Sequence, residues 1–179
     1  MTAAIEQAEM LPAGVCRVML DLNHSTLVDF EDLRYVHWHP WSPLFGHNGK
    51  TYVSANVADS VRYLHRTIKN TRDGCETDHI NGDGLDNRRE NLRTATASQN
   101  RANMGKPRRP DGSMHSSAYK GVSWDRSRGR WQSKVSIGGR SRNLGRYDDE
   151  IEAARAYDRA AEAHWGEFAQ LNFPAAVSA

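Results

Sequence analysis

The stretch Glu76-Thr-Asp-His-Ile-Asn-Gly-Asp-Gly-Leu-Asp-Asn-Arg-Arg-Glu-Asn-Leu-Arg93, followed closely by Ser98-Gln-Asn-Arg101, concentrates residue types suited to phosphodiester hydrolysis. That reaction needs a base to take a proton from attacking water, and a means of neutralising charge at phosphorus and on the leaving oxygen, usually a divalent cation. Asp78 offers a hard oxygen ligand and His79 a base whose ordinary pKa lies near neutrality. Neighbouring residues of a strand point in opposite directions, so the two side chains can bracket a phosphate instead of competing for one ion. Asn100, one turn into a helix, offers an amide oxygen to complete a hard-cation site with Asp78. Asn91 closes a polar loop whose backbone its amide can pin.

The spacing of Asp78-His79, an Asn twelve residues after the His, and another twenty-one after it resembles the HNH endonucleases. More closely, it resembles the phage and intron-borne homing variant in which the last His is replaced by Asn. Leu64-His65-Arg66 upstream and Asp-Asn-Arg-Arg-Glu-Asn-Leu-Arg within the loop fit the same pattern. The resemblance implies a ββα-metal fold, one Mg²⁺ (or Mn²⁺) ion, and cleavage leaving a 5′-phosphate. It makes His79 the general base, Asp78 and Asn100 the metal ligands, Asn91 the structural Asn of the loop, and Arg66 a phosphate contact. Taken singly, each His or Asn would read as a solvated turn residue; their joint spacing favours the nuclease. The motif His37-Trp-His-Pro-Trp41 reads as an aromatic corner of the core ahead of any metal or base-stacking patch.

Elements must position these groups. Residues 15–22 and 25–30 read as strands around a turn at Asn23-His24, and residues 51–57 as another strand. Apolar residues at 61, 64 and 68 have helical spacing. Residues 74–80 read as extended, residues 81–87 as a turn-rich loop, and Thr96-x-x-Gln99 as a capping box opening a helix to about Asn103. Residues 105–117, rich in Gly, Pro and Ser, read as a basic linker. The expected organisation is a tail over 1–12, a nuclease domain over 13–104, the linker, and a second domain over 118–175.

That second domain has its own charge signature. Residues 118–147 hold eight Lys or Arg against one Asp, and residues 148–179 hold two against seven Asp or Glu. A basic face backed by an acidic element is the footprint of a polyanion partner. Three strands are expected near 119–124, 130–137 and 142–147, then a helix opened by Asp149-x-x-Glu152 and stopped by Gly166. In the middle strand Trp131, Ser133, Val135 and Ile137 share one face, against an alanine-rich helix. Arg130, Gln132, Lys134 and Ser136 share the other, free to enter a DNA major groove. Lys120, Arg126, Arg128, Arg140 and Arg142 would meet phosphates at the edges. Tyr119-Lys-Gly-Val-Ser-Trp, Arg130-Trp-Gln-Ser-Lys-Val, Asn143-Leu-Gly-Arg-Tyr and Leu171-Asn-Phe-Pro174 resemble the Apetala-two, or ethylene-response-factor, DNA-binding domain. Ser123 and Ser141 stand where plant members carry Arg, and Asn143 where they carry Trp, so the plant target sequence does not transfer.

The fold expected is therefore α+β: a ββα-metal nuclease module and a three-stranded antiparallel sheet packed on one helix. The expected partner is double-stranded DNA, met by a monomer in the cytoplasm of a bacterial host, with no membrane and no small-molecule cofactor. No secretory leader or membrane span is legible, and two cysteines, read as small buried residues, make no disulfide framework. Two other readings are a DNA-binding regulator with an inert nuclease module and a phage packaging-associated protein.

Overall fold

Apolar residues alternate with polar ones in short runs broken by turn-forming clusters, which favours several small sheets over one large one. The computed structural model describes residues 8–46, 49–106 and 115–174. The chain divides into two compact units, residues 1–96 and 97–179. The start of the tail (1–7) and residues 107–114 of the linker lie outside the described residues.

In the first unit, β1 (Ala8–Met10), β2 (Val15–Met19) and β3 (Ser25–Asp29) form an antiparallel sheet in that order. The Asp21 carboxylate accepts from the backbone N–H groups of Asn23 and His24 and sets the β2–β3 turn. A short helix, α1 (Leu33–Val36), leads to a second sheet of β4 (Ser42–Phe45), β5 (Thr51–Val57) and β6 (Ser60–Tyr63). Helix α2 (Leu64–Lys69) follows at once. Then β7 (Glu76–His79) and β8 (Leu92–Ala95) pair antiparallel. Cys16, Val18, Val28, Val53, Leu64, Ile68 and Leu92 form the core, each buried side chain contributing about 1.5–3 kcal/mol. Trp41 joins this core, while Trp38 is exposed. Of the two cysteines expected to be buried, only Cys16 is; Cys75 is exposed.

One expected helix is half strand. Val61, the first of three helically spaced apolar residues, is 50% exposed, and residues 60–63 pair with β5, with Tyr63 opposite Ser54. The strand ladder takes these residues, and the helix starts only at Leu64.

The second unit opens with α3 (Ala97–Asn103), so contacts group this helix with the C-terminal residues. Strands β9 (Val122–Asp125), β10 (Arg130–Ile137) and β11 (Arg140–Tyr147) form an antiparallel sheet with β10 central. Helix α4 (Glu150–Trp165) packs on it. Asp149 caps α4, its carboxylate accepting from Glu152 N at 2.9 Å, and Gly166 ends it. Buried Ala153, Ala154 and Ala161 let the helix lie close on Val122 and Val135. The approach is so tight that a Cβ on Gly121, which has φ +78°, would sit 2.0 Å from the Tyr157 ring; glycine is required there on both counts. The Asp158 carboxylate accepts from the backbone N–H groups of Asn172 and Phe173, tying the chain end to α4. The whole is a mixed α/β protein of small antiparallel sheets.

Candidate active site and nucleic-acid interface

The β7–β8 pairing sets Asp78 opposite Arg93 and His79 opposite Leu92. Arg93 Nε donates to Asp78 Oδ2 at 2.9 Å, and Asp78 is 4% exposed. Burying a carboxylate without a partner is costly, and the cross-strand arginine is a partner for this one.

His79, 5% exposed, points away from this pair into an aromatic nest. Its ring centroid lies 4.9 Å from that of His65, edge-on, and 6.2 Å from that of Tyr52. Tyr52 and Tyr63 also flank His65. Nε2 of His79 lies 3.2 Å from Asn87 Oδ1. The Asn87 amide is oriented from its other side, because its Nδ2 donates to Thr26 Oγ1 at 2.8 Å and to Gly84 O at 3.4 Å. Oδ1 must then face the imidazole, and Nε2 carries the proton of that hydrogen bond. Burial pushes the His79 pKa below the usual histidine value, against the opposing hydrogen bond to Asn87 and the charge of Asp78. The same desolvation first, then the adjoining His79 imidazole and the charge of Arg66, drives His65 to about 3. His65 Nδ1 is buried with no hydrogen-bond partner among the described residues.

The loop between β7 and β8 is held by side chains. Asn91 Oδ1 accepts from Asn81 N at 3.0 Å, and Asn91 Nδ2 donates to Asp86 O at 2.8 Å and Asn81 Oδ1 at 3.0 Å. The loop is stitched to β3 as well: Leu27 N donates to Leu85 O, Asn87 N to Leu27 O, and Thr26 Oγ1 to Leu85 O. Arg89 reaches fully buried Asp32 with two bonds of 2.7 and 2.6 Å. Gly84 fits against β5 only because it has no Cβ, which would stand 2.3 Å from Thr51 O. Asn87, Tyr52 and Arg93 escape the sequence reading. Only the Asn-Arg-Arg-Glu-Asn pattern hinted at the first, and the other two depend on strand register. Asn100 lies on α3, in the second unit, and Arg66 on α2 stacks over the Tyr63 ring at 5.5 Å.

In the second unit, Ser133 and Val135 are buried while Arg130 and Lys134 are exposed. Register extends the outer face. Opposite Gln132 stand Ser123 and Arg146, and opposite Lys134 stands Asn143. Gln132 Nε2 lies 3.5 Å from Asn143 Oδ1. Arg146 stands outside the expected set; a bulge between Ser133 and Lys134 breaks the two-residue alternation along β11 and leaves it on the outer face with Asn143. Arg142 and Arg140 pair with Val135 and Ile137, so they rise from the helix-side face of an edge strand, exposed. Arg128 and Arg146 lean on Asp125, and Arg130 on Asp148. Arg126 lies in the β9–β10 turn. Lys120 differs from expectation: its ammonium donates to Ala102 O and Met104 O, both at 2.6 Å.

Residues 62–102 match the HNH endonuclease family model and residues 117–167 the AP2 domain model. Over 98 residues the chain is 33% identical to protein 3.8 of Escherichia phage T7, covering 55% of this chain and 76% of that protein. It is 42% identical over 71 residues to an AP2-like ethylene-responsive transcription factor of Arabidopsis thaliana, covering 34% of this chain and 23% of that one. A rice APETALA2-like protein is 47% identical over 58 residues, 32% of this chain and 13% of its own length. The match thus spans less than a quarter of these plant relatives.

Proposed function

Since the chain belongs to the family of protein 3.8 of Escherichia phage T7 and carries an HNH endonuclease domain followed by an AP2 domain, we propose that it is a metal-dependent, site-directed DNA endonuclease of the homing type, whose usual product is a nick. The observation that carries this reading is that strand β7 presents, on its two sides, a buried Asp78–Arg93 pair and an imidazole held by Asn87. Strands β7 and β8 followed by α3 are read as the ββα-metal element.

The donor set suits a hard cation. Asp78 would supply a carboxylate oxygen and Asn100 an amide oxygen, the ligand types Mg²⁺ or Mn²⁺ prefer. One bound ion would supply charge neutralisation at the phosphate and on the leaving oxygen. His79, kept uncharged by burial, takes the proton of the attacking water. Asn87 keeps its ring at a fixed angle, Asn91 holds the loop closed, and Arg66 meets phosphate. The product carries a 5′-phosphate.

The AP2 sheet delivers the target. Arg130, Gln132, Lys134 and Asn143 present the face that reads a major groove. Arg126, Arg128, Arg140 and Arg142 hold the phosphate backbone at its edges, with Arg146 added to the expected set. One site per chain makes the monomer a nicking enzyme of duplex DNA, acting in a bacterial host's cytoplasm.

The test is a supercoiled-plasmid assay with Mg²⁺ or EDTA on wild type and His79→Ala. Loss of at least about a hundredfold in cleavage, with DNA affinity retained, is expected. Full activity of His79→Ala in Mg²⁺ would remove His79 from the base role, and wild-type cleavage that persists in EDTA would end the metal-dependent reading.

A further inference from the structure

Helix α3 has seven residues, about two turns. Isolated helices shorter than about 12–15 residues are marginal in water, so what α3 packs against decides whether it exists. Ala102 and Asn103 are buried. Trp165, at the end of α4, donates its indole N–H to Ser98 Oγ at 3.2 Å, and Gln170 N donates to Ala102 O at 3.1 Å.

The last carbonyls of a helix have no partner within it, and a cation there is favoured by the helix dipole as well. Lys120, from the segment before β9, puts its ammonium on Ala102 O in the last turn and on Met104 O, one residue past the helix. The reverse bond also exists. Lys106, just past α3, donates to Ser117 O, Tyr119 O and Val122 O at 2.9, 2.8 and 3.0 Å. Each lysine caps backbone of the other's segment. A charged donor on carbonyl oxygens is among the stronger hydrogen bonds available, and here they act in both directions.

We infer that the AP2 module is a structural part of the nuclease: through the reciprocal Lys106–Lys120 clasp it forms and holds the helix that carries Asn100. This rests on the reading that Asn100 binds the cation. Lys120 is then a positioning residue for a metal ligand and not a phosphate contact, and removing the clasp loosens the cation site without touching the DNA-reading face.

The test uses the full chain as wild type, Lys120→Met, Lys106→Met and Lys120→Arg. Amide exchange is followed by mass spectrometry, nicking is titrated with Mn²⁺, and DNA affinity is measured over a range of salt. In Lys120→Met, exchange across 98–104 rises about tenfold or more while the middle of α4 keeps its protection. The Mn²⁺ concentration for half-maximal nicking rises by about tenfold, the scale on which groups supporting a metal ligand act. DNA affinity stays within about twofold and its salt slope is unchanged. Lys106→Met gives the same signature from the other side, and Lys120→Arg restores part of the protection. If exchange at 98–104 is unchanged in both Met variants, the clasp is overturned. A salt slope smaller by about one, with exchange unchanged, would return Lys120 to the phosphate backbone. If the wild-type chain never cleaves, the nuclease reading falls, while the exchange result still judges the clasp.

Discussion

The loop between β7 and β8 and the outer face of the β9–β11 sheet are both polar, yet they are built on opposite terms. In the loop almost every side chain is spent on backbone or on a buried partner: Asn91 on Asn81 and Asp86, Asn87 on Thr26 and His79, Arg89 on Asp32. On the sheet, Arg130 and Lys134 stand in solvent, and Arg130 pairs with the exposed Asp148. Exposed pairs are worth about 0–1 kcal/mol, so such a face gives up its contacts readily to a phosphate or a base. The loop spends its polar atoms internally, as holding a reacting group at one angle would require; the sheet face keeps them available, as binding a polyanion would require. Substitutions in the first should act through stability and geometry together, and in the second through affinity and salt dependence.

The sharpest way to break that contrast is Arg89→Ala. Asp32 is fully buried, and its carboxylate would lose both bonds of 2.7 and 2.6 Å. Leaving a buried charge unpaired costs roughly 3–5 kcal/mol, a large share of the 5–15 kcal/mol that typically holds a domain together. Chemical denaturation should show that loss, with cleavage falling before DNA affinity does. A variant as stable as wild type would mean that the loop does not depend on this anchor.

On the sheet, Arg130→Ala combined with Lys134→Ala should leave stability within about 0.5 kcal/mol and weaken specific DNA binding at least about tenfold, with a shallower salt dependence. Unchanged affinity at moderate salt would take the DNA off this face. A large loss of stability would show that the two regions do not differ in the way described.

How much of this could be read from the sequence follows the same division. The sheet face was legible because period-two alternation needs only the residues of one strand. Residues 130–137 have the expected bounds, and Ser133 and Val135 face inward. Faces along β11 were not assigned from the sequence; a bulge there puts Arg146 on the outer face and Arg142 on the helix-side one. The residues suited to catalysis were legible as types at a spacing. Their supports were not, because Tyr52, Asn87 and Arg93 matter through contacts made by strand pairing and by the return of the loop onto β3. Strand β8 contains Arg93 and Thr94 in four residues and offers no period to read. Residues 60–63 satisfied a helical spacing by coincidence, since three apolar residues fix no phase once the first is on the surface. Lys120 belonged by composition to the basic face, and only the position of α3 could assign its ammonium elsewhere.

The smallest effect concerns the aromatic nest itself and is read by pH. His65 is 6% exposed, and burial first, then the adjoining His79 ring and the charge of Arg66, hold it at about 3, against about 6.5 in an unfolded chain. Between these values the unfolded chain binds the proton and the folded one does not. The stability contributed by the neutral ring is therefore complete above about pH 6.5 and is lost progressively as pH falls towards 3. From pH 7 to 6 the loss for one such ring is under about 1 kcal/mol, and His79, shifted in the same direction, adds to it. Thermal melting of wild type should show a falling Tm across that interval. His65→Gln, which keeps a polar side chain but removes the titration, should flatten part of the slope, while Arg130→Ala with Lys134→Ala leaves the slope as it was. An identical slope in wild type and His65→Gln would mean that the ring accepts its proton in the folded state and that the nest around His79 is open to water, which would erase the distinction between a sealed loop and an open sheet face.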